Sequence, residues 1–95
     1  MTPEATLEQA GVLLPTRHPA VGTYTMAART GSLLFASGHG AFDDGRPIHT
    51  GRLGEELSTA EGSEAAEVVM LNLLATVKAE LGDLSRVTRF VKVVV

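Results

Sequence analysis

The chain has 95 residues and a mass of 10.0 kDa, enough for one small domain, because a second independent core would need roughly 50 more residues. Hydrophobic residues make up 44% and charged residues 20%, a balance that excludes a disordered chain and predicts a packed core. The net charge of -3 excludes the basic surface that nucleic-acid binding needs, and the absence of cysteine excludes disulfides, thiolate catalysis and cysteine-ligated zinc.

Residues 1–19 are predicted to form an N-terminal extension and connector. Thr2 and Pro3 have the order of an N-cap and a first-turn proline, so we expect a short helix over residues 3–10 that ends at Gly11. The prolines that follow favour extended backbone in the residues before them. The segment has no secretory signal, and no stretch of the chain has the ~20 apolar residues that a membrane span requires. We therefore expect a cytoplasmic protein without a membrane partner.

A β-hairpin is predicted next. Residues 21–29 are small, β-branched or aromatic, Thr30-Gly31 is a turn, and residues 32–37 form a second strand. The second strand has apolar residues on both faces, which is typical of a central strand covered on both sides. A further turn at residues 43–45 leads into a short edge strand at residues 47–50, which begins with a proline.

The longest predicted element is a helix over residues 58–82. Ser58 and Glu61 have the spacing of a capping box, and Gly82 supplies a left-handed C-terminal stop. Asn72 is a poor helix former in the middle of the helix, which predicts a specific hydrogen bond. Apolar residues at spacings of three and four predict one buried face: Ala65, Ala66, Val69, Met70, Leu73, Leu74, Val77 and Leu81.

A last strand is predicted over residues 86–95. Val87, Val91, Val93 and Val95 share one face at a period of two. Because a helix separates this strand from the hairpin, the crossover favours parallel pairing with an earlier strand. An uncovered apolar edge invites pairing with another chain, so we expect further chain or a partner to cover it.

Four segments, in this order and at this spacing, resemble the RidA/YjgF family, also called the endoribonuclease L-PSP family, and in particular its slightly longer bacterial YjgF-like branch. They are Gly22-Thr23-Tyr24; Gly31-Ser32-Leu33-Leu34-Phe35-Ala36-Ser37-Gly38; the helix from Glu64 to Lys78 with Asn72; and Leu81-Gly82-Asp83-Leu84-Ser85-Arg86-Val87. The resemblance covers nearly the whole chain from about Val12 onward.

The resemblance implies an α+β fold of the chorismate-mutase-like type, a two-layer domain in which a long helix packs on one face of a hairpin and further strands. It implies a homotrimer with ligand clefts between subunits, and no cofactor. The implied chemistry is the hydrolysis of reactive enamines or imines to 2-keto acids and ammonia, with a small keto or imino acid as the ligand.

In the family an arginine near the C-terminus binds the substrate carboxylate through two parallel hydrogen bonds, which the guanidinium geometry suits. The resemblance places this arginine beyond Val95, and none of the six arginines in the chain matches its motif position. We therefore expect the C-terminal third of the domain to be absent and leave the catalytic residues unassigned. The alternative is a non-catalytic small-molecule-binding or interaction module of the same fold.

Four residues are carried over as ligand-binding candidates: Tyr24, Ser37, Gly38 and His39. The Tyr24 phenol can pack on a small planar ligand, or it is half-buried strand packing. Ser37 and Gly38 lie at a strand end beside the family's cleft, although a serine there often serves the local backbone instead. His39 lies between two glycines and is either an acid or base near neutral pH or a solvated turn residue.

Two other kinds of site are not supported by the residue patterns. His18, His49, Asp43 and Asp44 match no ligand spacing, so no metal site is predicted. The ribonuclease activity in the family's older name would need a basic patch or a His/Lys acid-base pair, and the chain has neither.

Overall fold

The computed structural model describes all of residues 1–95 and is built from two helices, two hairpins and a short 3-10 turn. The elements are α1 (Pro3–Gln9), β1 (Ala27–Thr30), β2 (Leu33–Ala36), β3 (Phe42–Asp43), β4 (Arg46–Pro47), α2 (Thr59–Leu81) and the 3-10 turn Leu84–Arg86. Strands β1 and β2 form one antiparallel sheet, β3 and β4 form another, and α2 packs against both. Neither helix combines the length and apolar character that crossing a membrane needs.

The β1–β2 hairpin confirms the first predicted hairpin but is shorter. Its register pairs Ala27 with Ala36 and Thr30 with Leu33, and Gly31 takes a φ of 56° in the turn. Residues 21–24 form bends instead of the start of the first strand. The prediction that both faces of β2 are covered is wrong within this chain. The sheet has only two strands, so Leu33 and Phe35 on its outer face remain 44% and 59% exposed.

The β3–β4 hairpin contains the second predicted turn. Asp44 and Gly45 have φ values of 52° and 79°, the left-handed pair that a type I′ turn requires. The strand predicted over residues 47–50 is wrong, because the pairing stops at Pro47. Only one further hydrogen bond, from the Ile48 N–H to the Ala41 carbonyl at 2.9 Å, extends the hairpin.

Helix α2 begins and ends where its sequence predicts. The Ser58 hydroxyl accepts from the Glu61 N–H at 3.2 Å, the Glu61 carboxylate accepts from the Ser58 N–H at 2.9 Å, and Gly82 has a φ of 85°. The face that it buries is different from the predicted one. Its buried residues are Asn72, Ala75 and Thr76. None of the eight predicted apolar positions is fully buried, and Ala66 and Met70 are exposed.

The strand predicted over residues 86–95 is wrong in this chain. Leu84–Arg86 form the 3-10 turn, and residues 87–95 pair with no strand. Val91 and Val94 are 71% and 80% exposed. A valine-rich run has the propensity for a strand, but a ladder forms only where a second strand pairs with it, and no strand of this chain does so.

The predicted N-terminal helix is confirmed, and it docks on the far end of α2. The Thr2 hydroxyl accepts from the Ala5 N–H, and the Glu4 carboxylate accepts from the Leu84 N–H at 2.9 Å. Pro3, Thr6, Leu7, Leu74, Leu84, Val87 and Phe90 line a groove of about 330 Å³ there. Most of the residues that line this groove are apolar, and none of them is a ligand-binding candidate from the sequence.

Acid is expected to weaken the capping box. The backbone N–H and then the hydroxyl of Ser58 lower the pKa of the Glu61 carboxyl from its ordinary value of 4.5. A carboxyl whose folded-state pKa is lowered stabilises the fold above its unfolded-state pKa, and this contribution is lost as the pH falls through the lowered value. Glu61→Gln should therefore be less stable than the natural chain near neutral pH, and the difference should close below pH 4.5.

Urea denaturation across this pH range measures the difference. Glu67→Gln makes the same charge change at an exposed position on α2 and is the control. If the Glu61→Gln and Glu67→Gln curves keep the same offset from the natural chain at every pH, the capping carboxylate does not hold the helix start.

Candidate functional site

The segment of residues 37–42, which we call the 37–42 segment, leaves β2 and leads into β3. Its first residue is tied to the β1 side of the hairpin. The Ser37 N–H donates to the Met26 carbonyl at 2.9 Å, and the Ser37 hydroxyl donates to the Thr25 carbonyl at 2.6 Å. The hydroxyl therefore serves the local backbone, although its oxygen can still accept a hydrogen bond from a ligand.

Asn72 on α2 holds the other end of the 37–42 segment. Its amide donates to the Gly40 carbonyl at 3.1 Å and to the Phe42 carbonyl at 2.9 Å, and the residue is only 4% exposed. The hydrogen bond predicted for Asn72 is confirmed, and it is made twice. One side chain thereby satisfies two backbone carbonyls of a segment that has no strand partner at Gly40.

His39 joins the middle of the segment to the same helix. Its Nδ1 lies 2.7 Å from the Ser37 carbonyl oxygen, and its Nε2 lies 2.8 Å from the Thr76 hydroxyl. Thr76 is completely buried. The interpretation of His39 as a solvated turn residue is wrong, because both ring nitrogens are hydrogen-bonded within the chain and the residue is half-buried.

Thr76 was missed by sequence reasoning, although a signal was present. It stands four residues after Asn72, so the two side chains lie on one face of α2, one turn apart. Threonine in a helix interior is a weak helix former, as asparagine is. Two such residues at this spacing indicate a polar stripe, but the strength of the neighbouring apolar pattern hid it.

His18 lies beside this cluster. Its ring centroid is 6.1 Å from that of His39 and 5.7 Å from that of Phe42. Its Nδ1 hydrogen-bonds the Pro19 carbonyl oxygen at 3.1 Å, and its Nε2 is buried without a partner. A cavity of about 170 Å³ lies here, lined by His18, Pro19, Val21, Phe42 and Gly45. Nothing in the connector's sequence had indicated that His18 would lie next to the candidate site.

The other candidate residues lie at the same end of the β1–β2 hairpin. Tyr24 is 44% exposed and precedes Thr25, whose carbonyl accepts from Ser37. Gly38 is exposed, and no hydrogen bond within the chain uses the backbone N–H of Gly38, His39 or Gly40. These three consecutive N–H groups are donors that a carbonyl or carboxylate ligand can use.

The residues weighed for a metal site do not converge. His49 lies against the start of α2, with its ring nitrogens 3.6 Å from a Glu61 carboxylate oxygen and 3.1 Å from one of Glu64. His18 lies with His39 and Phe42, and Asp44 occupies the β3–β4 turn. No group of three or more metal-ligating side chains is placed to hold an ion.

Comparison with known proteins identifies the class of protein to which this chain belongs. Residues 4–94 match the family described as "YjgF/chorismate_mutase-like, putative endoribonuclease". The chain therefore belongs to the YjgF family, and its fold is the chorismate-mutase-like α+β fold of that family. The resemblance read from the sequence is confirmed.

Individual relatives agree with this assignment. Protein TCP17 of Trypanosoma cruzi is 35% identical over 88 residues, which are 93% of this chain and 55% of that protein. The crystal structure of a "putative endoribonuclease" from Shewanella oneidensis MR-1 has a TM-score of 0.86 and 36% identity, covering 90% of this chain and 57% of the other.

A second crystal structure, of a protein of unknown function from Agrobacterium tumefaciens, has a TM-score of 0.74 and 36% identity over 86% of this chain and 50% of the other. The chain thus spans about half the length of these relatives.

Asn72→Ala is expected to lower the free energy of unfolding by about 1–3 kcal/mol, because it leaves two largely enclosed carbonyls without their donor. Urea denaturation measures the change. Ser63→Ala, which removes an exposed polar group from the same helix, should change the stability far less. Equal effects of the two substitutions would mean that the Asn72 hydrogen bonds contribute nothing to the fold.

Proposed function

We propose that this chain supplies one wall of a ligand cleft in which an enamine or imine is hydrolysed to a 2-keto acid and ammonia. The support is family membership over residues 4–94, together with the 37–42 segment, which has three unused backbone donors and whose last residue, Phe42, lines a small cavity. Water adds to the carbon of the C=N bond, the C–N bond then breaks, and the nitrogen leaves as ammonia. The backbone donors of the segment orient the carbonyl or carboxylate of the ligand.

The side chains of the segment have binding roles in this proposal. His39 has both ring nitrogens engaged within the chain, so it does not act as the base. Tyr24 packs its exposed ring on the planar ligand. Charge neutralisation of a carboxylate is left to the arginine that the family resemblance places beyond Val95. Within the chain, Arg17 is paired with Glu80 at 2.8 Å and Arg86 donates to the Leu81 carbonyl.

The proposed cleft lies between copies of the chain, because the apolar outer face of the β1–β2 hairpin has no cover within one copy. Leu33 and Phe35 point to this face at a period of two, and both are exposed. Contiguous exposed apolar side chains are typical of an interaction surface. We propose that the assembly is the homotrimer that the family resemblance implies.

Binding without turnover is the second candidate, and one observation favours it. His39 is the one imidazole in the 37–42 segment and has no free ring nitrogen, so the segment brings no available general base. Ribonuclease activity is less well supported, because the net charge is -3 and only eight Lys and Arg residues are present.

Gly38→Ala tests the cleft directly. A Cβ at Gly38 would meet no atom within 4 Å and its φ is not positive, so the substitution should leave stability nearly unchanged. It places a methyl group where the ligand approaches, and we expect keto-acid release from a dehydroalanine-type imine to fall by about tenfold or more.

A coupled assay that traps the keto acid measures this rate, with Ser63→Ala as the control for an exposed substitution elsewhere. No turnover by the natural protein, assayed together with the arginine-bearing segment that the family resemblance implies, would contradict hydrolysis. In that case, saturable thermal stabilisation by keto acids that is lost in Gly38→Ala would support the binding module instead.

Phe35→Lys is expected to break the proposed trimer, because it places a charge in the apolar contact between copies. Size-exclusion chromatography with light scattering measures the mass, which should fall from three chains to one. Gln9→Lys makes the same charge change at an exposed position on α1 and should leave the mass at three chains. A mass that Phe35→Lys leaves unchanged would place the interface elsewhere.

A further inference from the structure

Thr76 has the most deeply buried side chain of the molecule, and it is polar. It lies in the interior of α2 with no exposed surface, and the hydroxyl's hydrogen-bond partner is Nε2 of His39 at 2.8 Å. Burying a hydroxyl without a hydrogen-bond partner is unfavourable. A threonine can therefore occupy this position only because His39 supplies that partner. Valine has the same shape and would fill the site without needing a partner.

The direction of the hydrogen bond follows from the other ring nitrogen. The Ser37 carbonyl can only accept, so the proton of the neutral His39 ring lies on Nδ1, which donates to it across 2.7 Å. Nε2 then carries a lone pair, and the Thr76 hydroxyl donates to it. The sequence of bonds from the helix to the segment is therefore Thr76 O–H to Nε2, and Nδ1–H to the Ser37 carbonyl.

We propose that Thr76 is a positioning residue for the candidate ligand site, acting through His39. The contact ties the first half of the 37–42 segment to α2, while Asn72, one helical turn earlier, ties the second half at the Gly40 and Phe42 carbonyls. Together they fix the backbone between Ser37 and Phe42, which carries the three unused N–H groups. This inference rests on the proposed function and adds the residue that sets the geometry of its binding groups.

The role assigned to His39 changes accordingly. A general base needs a ring nitrogen that is free to take a proton from water or substrate. Both ring nitrogens of His39 are hydrogen-bonded within the chain, so its geometry fits a structural role that links the segment to the helix. Removing the Thr76 hydroxyl would free Nε2 and release the first half of the segment from the helix, so ligand binding should weaken although Thr76 itself never touches the ligand.

The test compares Thr76→Val, which removes the hydroxyl at constant shape, with Thr76→Ser, which keeps it. Nitrogen-15 NMR of the His39 ring reports which nitrogen carries the proton, and backbone nitrogen-15 relaxation reports how rigidly the Gly38, His39 and Gly40 amides are held. In the natural protein and in Thr76→Ser we expect the Nδ1–H tautomer and order parameters typical of rigid backbone.

In Thr76→Val we expect a shifted Nε2 resonance, lower order parameters at the three amides, and about a tenfold rise in KM for the imine, the size expected for one lost hydrogen bond. Thr76→Ser should restore all three readouts.

Two results would overturn the proposal. An Nε2–H tautomer in the natural protein contradicts it without any variant, even if Thr76→Val does not fold. Unchanged ring shifts and amide order parameters in a folded Thr76→Val contradict it as well. Absence of turnover in the natural protein would contradict the proposed hydrolysis but not the role of Thr76, because the NMR measurements still decide whether Thr76 holds the segment.

Discussion

A single polar stripe on one helix organises the part of this molecule that is proposed to bind ligand. Asn72 and Thr76 make three hydrogen bonds from α2 to the segment between β2 and β3, and both residues are buried. Each buried polar group of these hydrogen bonds would cost about 1–3 kcal/mol if it were left without a partner. The total stability of a domain is on the order of 5–15 kcal/mol. The stripe therefore fixes one arrangement of the segment on the helix, since any sliding along the helix breaks several bonds at once.

Local signals in the sequence were sufficient for the elements and for part of the site. The capping box at Ser58, the left-handed stop at Gly82 and the turn at Asp44-Gly45 each depend on a few neighbouring residues, and each forms as expected. Asn72 was identified as a hydrogen-bonding residue for the same reason, because its conflict with helix propensity is visible in the sequence itself.

Features that depend on distant partners were not predictable in the same way. The valine-rich segment 87–95 has strand propensity, but a strand also needs a distant partner to pair with, and no strand of this chain pairs with it. The buried face of α2 was misjudged because the apolar pattern is stronger than the polar stripe, whereas the carbonyls of Gly40 and Phe42 decide which face is covered. Leu33 and Phe35 looked like core residues, and one copy of the chain leaves them exposed.

The central claim is that the 37–42 segment, held by α2, is the binding site. Ligand mapping tests this claim most directly. Titrating the nitrogen-15-labelled protein with a small 2-keto acid and following the backbone amide resonances would locate the bound ligand. The account predicts saturable shifts concentrated at Gly38, His39 and Gly40, with Tyr24 also affected. Shifts confined to the apolar groove between α1 and residues 84–90, with the 37–42 segment unchanged, would contradict it.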